Sequence, residues 1–245
     1  QDIDSLLEQL KDGHEETCLK AIKSLEEYSD PRIAGVLVNL LKDSRGSIRA
    51  GAAFALKKFT NPDIIKPLVE SLKDKDLNVV LAAAYSLGEI EDSIAVNPLC
   101  ELLTHSDARV VSRAAEALGK IGNSEASPSL VEVLKRTDEP KLRLRVAEAL
   151  RKLDDEHAIE PLLEALSYKD SALQSRAVQA LIRPGDERLV APLIKILEGD
   201  VQNARSAATY VLGKLGEVAV LPLLETLADE IRSARSGAAK ALGEL

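Results

Sequence analysis

The sequence predicts an all-α protein: an α–α superhelix, or solenoid, of eight two-helix repeats of about 31 residues, running as one domain over 1–245. Three observations carry that expectation. Leucines closing Ala-rich segments recur at Leu25, Leu56, Leu87, Leu118, Leu150, Leu181, Leu212 and Leu242, at intervals of 31, 31, 31, 32, 31, 31 and 30 residues. A second series, Leu37, Leu68, Leu99, Leu130, Leu162, Leu193 and Leu223, follows these anchors by 12 residues in six cases and by 11 in the last. Aromatics make up only 2% of the chain, with two Phe, four Tyr and no Trp. A core so poor in rings must pack on Leu, Ile, Val and Ala, which favours closely stacked helices.

Each unit divides into two short helices. The first often opens with Pro (Pro67, Pro98, Pro161, Pro192, Pro222), whose missing N–H breaks no bond in a first turn. Turns such as Asp43-Ser44, Asp74-Lys75-Asp76, Ser106-Asp107 and Gly122-Asn123 supply capping and turn residues. The second helix is apolar eight, four and one residues before the anchor, at it, and three after. Ile48, Ala52, Ala55, Leu56 and Phe59 show this in the second repeat, and Val110, Ala114, Ala117, Leu118 and Ile121 in the fourth. That is a 3.6-residue stripe. Small residues three before the anchor (Ala53, Ala84, Ala115, Ala147) let neighbouring helices approach. One such pair cannot bury its stripe alone, whereas stacked pairs bury it against each other. Two departures stand out. Pro184-Gly185 should stop the sixth second helix early, and one extra residue lengthens the fifth repeat around Pro140.

A formal net charge of −8 argues against a general nucleic-acid coat, which needs clustered positive charge. Cys18 and Cys100 fall three repeats apart. With helices stacked roughly 8–10 Å apart, they lie beyond disulfide reach, and free thiols suit a reducing cytoplasm. No apolar run reaches the roughly 18 residues of a membrane span, and Gln1-Asp2-Ile3-Asp4 is no signal peptide. The chain has no Met, so we expect a processed chain or a segment of a longer one. The first repeat has a polar second helix (Lys20, Lys23, Glu26, Glu27) suited to a solenoid end. The eighth, with Ala238 and Leu242, keeps the apolar pattern of an internal repeat. Self-association through that repeat is the corresponding expectation.

The second helices resemble a known family. Ile48-Arg49-Ala50-Gly51-Ala52-Ala53-Phe54-Ala55-Leu56 and Val110-Val111-Ser112-Arg113-Ala114-Ala115-Glu116-Ala117-Leu118-Gly119-Lys120-Ile121 are similar to the HEAT-like repeat of the phycobilisome-lyase type. Ala95-Val96-Asn97-Pro98-Leu99 is similar to that repeat's opening. The resemblance covers essentially the whole chain and implies the fold. It implies little about activity, because the family includes chromophore lyases, an iron hydroxylase and many scaffolds. The resemblance also implies that the Arg seven before the anchor (Arg49, Arg143, Arg205, Arg235) pairs with an inter-helix Asp; Cys18, Val80, Val111 and Gln174 replace it elsewhere.

Chemistry-bearing patterns are sparse. The family's hydroxylase uses His-Glu pairs six and five before the anchor, where this chain has Ala50-Gly51, Leu81-Ala82, Ser112-Arg113 and Leu144-Arg145. His14-Glu15 sits about five residues too early. His14 and Cys18 share a helical spacing but lack a third ligand, while His105 and His157 fall isolated in turns. Phosphate loops, nucleophile elbows and metalloprotease motifs are missing, and paired carboxylates such as Glu26-Glu27 and Asp154-Asp155 read as solvated. We therefore expect no catalytic residues, no metal and no cofactor.

A partner site is expected on the second helices, lining the concave side. Two before the anchor is the centre of the outward face, and there Phe54, Tyr85 and Tyr210 stand out as aromatic anchors. Flanking positions supply cations: Arg109, Arg113 and Lys120, then Lys141, Arg145 and Lys152, then Arg176 and Arg183, with Lys214 beyond. Stacked in register they would form a positive stripe, opposed along the helices by Glu116 and Glu148 alone. The preferred function is a non-catalytic scaffold binding a protein or peptide, acidic if the stripe is used, with no membrane. The alternatives are a bilin-lyase-like partner, implied by resemblance only, and an anionic or nucleic-acid binder using the stripe.

Overall fold

The computed structural model describes residues 2–11, 13–59 and 61–245. Among these it contains sixteen α-helices and no strand. They group into two compact units, Gln1–Thr137 and Asp138–Leu245.

The first unit holds α1 (Ile3–Gln9), α2 (Glu15–Leu25), α3 (Pro31–Leu40), α4 (Gly46–Ala55), α5 (Ile65–Ser71), α6 (Leu77–Ile90), α7 (Val96–Leu102), α8 (Ala108–Ile121) and α9 (Ser127–Arg136). The even-numbered helices stack on one another, α2 on α4, α4 on α6, and α6 on α8. The odd-numbered helices α3, α5 and α7 pack on their own second helices. Short 3-10 turns precede α5, α7 and α9, each capped by a side chain: Asn61, Asp92 and Asn123 accept from the N–H two residues on. The cap holds the chain extended and turns it into the helix in one step.

The second unit holds α10 (Pro140–Lys152), α11 (Ile159–Ala165), α12 (Ser171–Leu181), α13 (Val190–Glu198), α14 (Gln202–Leu212), α15 (Val220–Thr226) and α16 (Arg232–Glu244). Here α10, α12, α14 and α16 stack in order. As Pro184-Gly185 predicts, α12 ends at Leu181 and the next residue is already extended. Gly185 takes φ +81°, which costs a residue without Cβ little, and its N–H donates to the Leu215 carbonyl at 2.8 Å. The division between units falls inside the fifth repeat, beside the extra residue. Thr137 leaves α9 in an extended conformation, and Pro140 opens α10.

Both leucine series form the core. Leu25 through Leu212 and Leu37 through Leu223 are each 0% exposed, and the alanines three before the anchors are buried beside them. Close approach is visible at Gly88, where an added Cβ would lie 2.7 Å from the Ala117 Cα of the next repeat.

The position seven before the anchor fastens the repeats. Arg49 is 6% exposed and grips Asp74 in the following turn with two bonds, Nε–Oδ2 2.7 Å and Nη2–Oδ1 2.9 Å. Its Nη1 also donates to the Asp43 and Ser44 carbonyls in the turn between α3 and α4. Arg143 instead pairs with Glu164 at 3.0 Å. Arg205 and Arg235 donate to the carbonyls of Gly199 and of Asp229 and Glu230. The expected inter-helix Asp is therefore found at Arg49, whereas carbonyl capping is the more general job. Cys18 performs it too, its thiol facing the Gln9 and Leu10 carbonyls. Both cysteines are free thiols.

Candidate functional site

In the first unit the aromatic and cationic positions converge. Phe54 on α4 and Tyr85 on α6 lie one repeat apart, and stacking α4 on α6 brings their rings to a centroid distance of 5.2 Å with an interplanar angle of 13°. Lys57 Nζ sits 3.1 Å from the Phe54 ring centre and 5.4 Å from that of Tyr85. From α8, the Arg113 guanidinium and Lys120 Nζ each lie 5.2 Å from the Tyr85 ring centre. The contacts are cation–π in type. Tyr85 is consequently half-buried rather than exposed, with Phe54 on one side and the α8 cations on another.

Carboxylates balance these cations. Lys120 pairs with Glu89, Arg113 with Glu116 at 2.9 Å and Lys57 with Glu26 at 3.7 Å. Glu89 also accepts from the Tyr85 hydroxyl; Lys120 first, and then that hydroxyl, hold its carboxyl below the usual range. Burial, and secondarily the bond to Glu89, push the Tyr85 phenol up. Three cations thus face three carboxylates. The assembly is polar, ordered and close to neutral.

Beside it lies a groove of 520 Å³ between α2 and α4. Leu19 and Ile22 make its apolar floor, Phe54 one wall, and Lys23, Glu26, Glu27 and Lys58 its rim. Gly51 lines the groove, where a Cβ would make ordinary contact with Leu19 Cδ2 at 3.4 Å and Ile22 Cδ1 at 3.6 Å, and a longer side chain would fill the space. Phe54 is 38% exposed, braced from behind by Tyr85.

The remaining predicted cations are mostly engaged locally. Arg109 pairs with Asp107, its own helix cap, at 2.7 Å and, through its hydrogen bonds, lowers that carboxyl to about 2. In the second unit Arg176 and Arg145 both reach Glu148, at 3.0 Å and 3.6 Å. Arg183 pairs with Asp154 at 2.5 Å and Lys214 with Glu244 at 3.6 Å. Lys141 and Lys152 are exposed and make no ion pair among the described residues. The expectation that Glu116 and Glu148 alone oppose the stripe is corrected. Glu89, Asp107, Asp154 and Glu244 also take part, since caps, turns and neighbouring repeats contribute acids that a scan along one helix misses. Tyr210 is 47% exposed with Lys214 Nζ 5.5 Å from its ring centre, and no second ring stacks on it among the described residues.

Two residues outside the expected set matter. Lys57 and Arg151 stand one after the anchor, where Gly88, Gly119, Gly213 and Gly243 occupy other repeats. That break in the glycine pattern was the available signal. Arg151 is buried and its Nη1 lies 2.6 Å from Asp186, which also binds Arg188. Arg188 and then Arg151 hold the Asp186 carboxyl far below the usual range. Among the described residues no group of three or more His, Cys, Asp or Glu side chains is placed to hold a metal, and no helix is long and apolar enough to cross a membrane.

A family model described as HEAT repeats matches six overlapping segments, 3–88, 36–117, 65–151, 96–182, 127–213 and 159–243. The chain belongs to the HEAT-repeat family. HEAT-repeat structures with the same fold include the complex of CpcE and CpcF of phycocyanin lyase from Nostoc sp. PCC7120, with TM-score 0.63, 20% identity, and 100% of this chain and 95% of that one covered. A homology model of the full-length AP-3 complex gives TM-score 0.67 at 16% identity, covering 99% of this chain and 50% of that one. An engineered protein gives TM-score 0.52 at 23% identity, covering 99% and 78%. At these identities the likeness concerns the fold alone. Comparison with curated proteins finds no match.

Proposed function

We propose that this HEAT-repeat chain is a non-catalytic scaffold whose first unit binds a protein segment in the groove between α2 and α4. One observation carries the reading: Phe54, half out of the surface, walls a 520 Å³ groove floored by Leu19 and Ile22 and lined by Gly51. A rigid exposed ring beside an apolar slot is the usual form of an interaction hot spot. The Tyr85 stack and the Lys57 ammonium brace that ring before binding, so little ordering cost falls on association. The rim carries both signs, which favours a peptide with one apolar anchor flanked by mixed polar groups. The basic-stripe alternative loses support because most of its cations already hold carboxylates. The bilin-lyase alternative rests on a fold likeness at 20% identity.

Selection of peptides from a displayed random library against the full chain tests the reading. Binders should share one large apolar residue, compete with one another, and lose affinity about tenfold or more on Phe54→Ala or Gly51→Leu, with helicity unchanged. Binders indifferent to both substitutions would move the site elsewhere.

A further inference from the structure

The first helices of the second unit carry a surface that the α2–α4 groove does not use. Two adjoining grooves run along it. One, of 590 Å³, lies between α11 and α13 and is floored by Ile159, Leu163, Pro192 and Ile196. The next, of 720 Å³, lies between α13 and α15 and is floored by Val190, Ile194, Val218 and Pro222. Lys195 lines both.

The rims are overwhelmingly acidic. Glu156, Glu160 and Glu164 border the first groove, and Glu187, Glu198, Glu225 and Asp229 the second. Of these seven, Glu164 is engaged by Arg143 at 3.0 Å. The other six make no ion pair among the described residues, and Lys195 is the one cation among the lining residues. This contrasts with the second helices, where most cations, Arg113, Lys120, Arg151 and Arg176 among them, pair with an acid. Unpaired acids around an apolar floor raise the local concentration of cationic partners and reject anionic ones, nucleic acids included.

We infer that the α11–α13–α15 face docks a basic, amphipathic segment of a partner protein. Two of that segment's apolar side chains enter the two grooves while its Lys or Arg residues meet the six carboxylates that hold no ion pair. Neighbouring helices pack roughly 8–10 Å apart, so the anchors sit at that spacing. In a polyproline-II segment, where every third side chain returns to the same face, this means three residues apart, at about 3.1 Å per residue. In a helical one it means seven apart, at about 1.5 Å per residue. The floor requires the spacing and the rim requires the charge; neither alone specifies the partner.

Fluorescence anisotropy with the full chain and labelled Lys-rich peptides tests this. Peptides with two Leu three or seven apart are compared with an isomer carrying adjacent Leu and with a Glu-for-Lys counterpart. At least one spaced basic peptide should bind about tenfold more tightly than the adjacent-Leu isomer at about 0.15 M salt, and the Glu peptide should not bind. Ala191→Lys, at an exposed lining position, should abolish the preference without disturbing the core. Glu198→Gln, Glu225→Gln and Asp229→Asn together should weaken binding and flatten its salt dependence. Gly51→Leu should change nothing, which separates this surface from the α2–α4 groove. Equal binding of spaced and adjacent isomers would reduce the face to a non-specific polyanion. Binding of the Glu peptide, or of none, would overturn the inference outright.

Discussion

Arg49 and Asp74, twenty-five residues apart in the chain, form a two-pronged ion pair at 2.7 Å and 2.9 Å that ties one repeat to the turn of the next. Both side chains are largely buried, so removing one leaves the other charge without compensation. Arg49→Ala should destabilise the first unit by about 3 kcal/mol while leaving peptide affinity at Phe54 unchanged, measured by urea unfolding alongside anisotropy.

The same pair sets a pH dependence. Hydrogen bonding to Arg49 is the largest cause that lowers the Asp74 carboxyl below its ordinary value. A depressed folded value contributes stability above the unfolded value, about 3.9, and that contribution is lost as pH falls through the folded value. The stability gap between wild type and Arg49→Ala should therefore be constant from neutral pH to about 5 and narrow below about 4. A gap that widens on acidification would refute the role given to Asp74.

Two glycines should respond to Ala with opposite signs. At Gly51 a Cβ meets side chains at 3.4 Å or more, and relieving Gly's entropy cost in a helix should add about 0.5–1 kcal/mol. At Gly88 the same atom would lie 2.7 Å from backbone, forcing α6 and α8 apart. Gly88→Ala should lower the melting temperature where Gly51→Ala raises it.

Tyr85→Leu removes the stack on Phe54, the ring under Lys57, Arg113 and Lys120, and the bond to Glu89. A stability loss of about 1–2 kcal/mol is expected, with a larger proportional loss of peptide binding because Phe54 is no longer braced. Tyr85→Phe should keep most of the binding.

Leu227 is 38% exposed, whereas its counterparts Leu10, Leu41, Leu72, Leu103, Leu134, Leu166 and Leu197 lie between 0% and 8%. Leu227→Lys should cost less than about 0.5 kcal/mol, whereas Leu197→Lys should unfold the second unit. If a second copy covers this face, the mass by light scattering rises with concentration in the wild type and stays monomeric in Leu227→Lys. A monomeric wild type at every concentration would dismiss self-association there.

The period, the helix pairs, the two buried leucine series and the early end of α12 were all legible in the chain. So was the placement of Phe54 and Tyr85 on one face. What the sequence did not disclose was pairing. Asp107 and Asp154 belong to caps and turns, Glu89 belongs to the repeat before Lys120, and Lys57 occupies a position that elsewhere holds Gly.

By itself, then, the sequence determined the family architecture, because each repeat packs only on its neighbours and an apolar stripe of fixed spacing is enough to specify that packing. Only the tertiary structure decided which charges are spent and which are free. Side chains about 30 residues apart meet across stacked helices, and whether a cation finds a carboxylate there depends on the angle and distance between helices. That geometry gave most cations of the expected basic stripe local acidic partners, with Arg113 and Lys120 beside the Tyr85 ring. It also left the uncompensated charge on the opposite kind of helix, as the acidic rims of α11, α13 and α15.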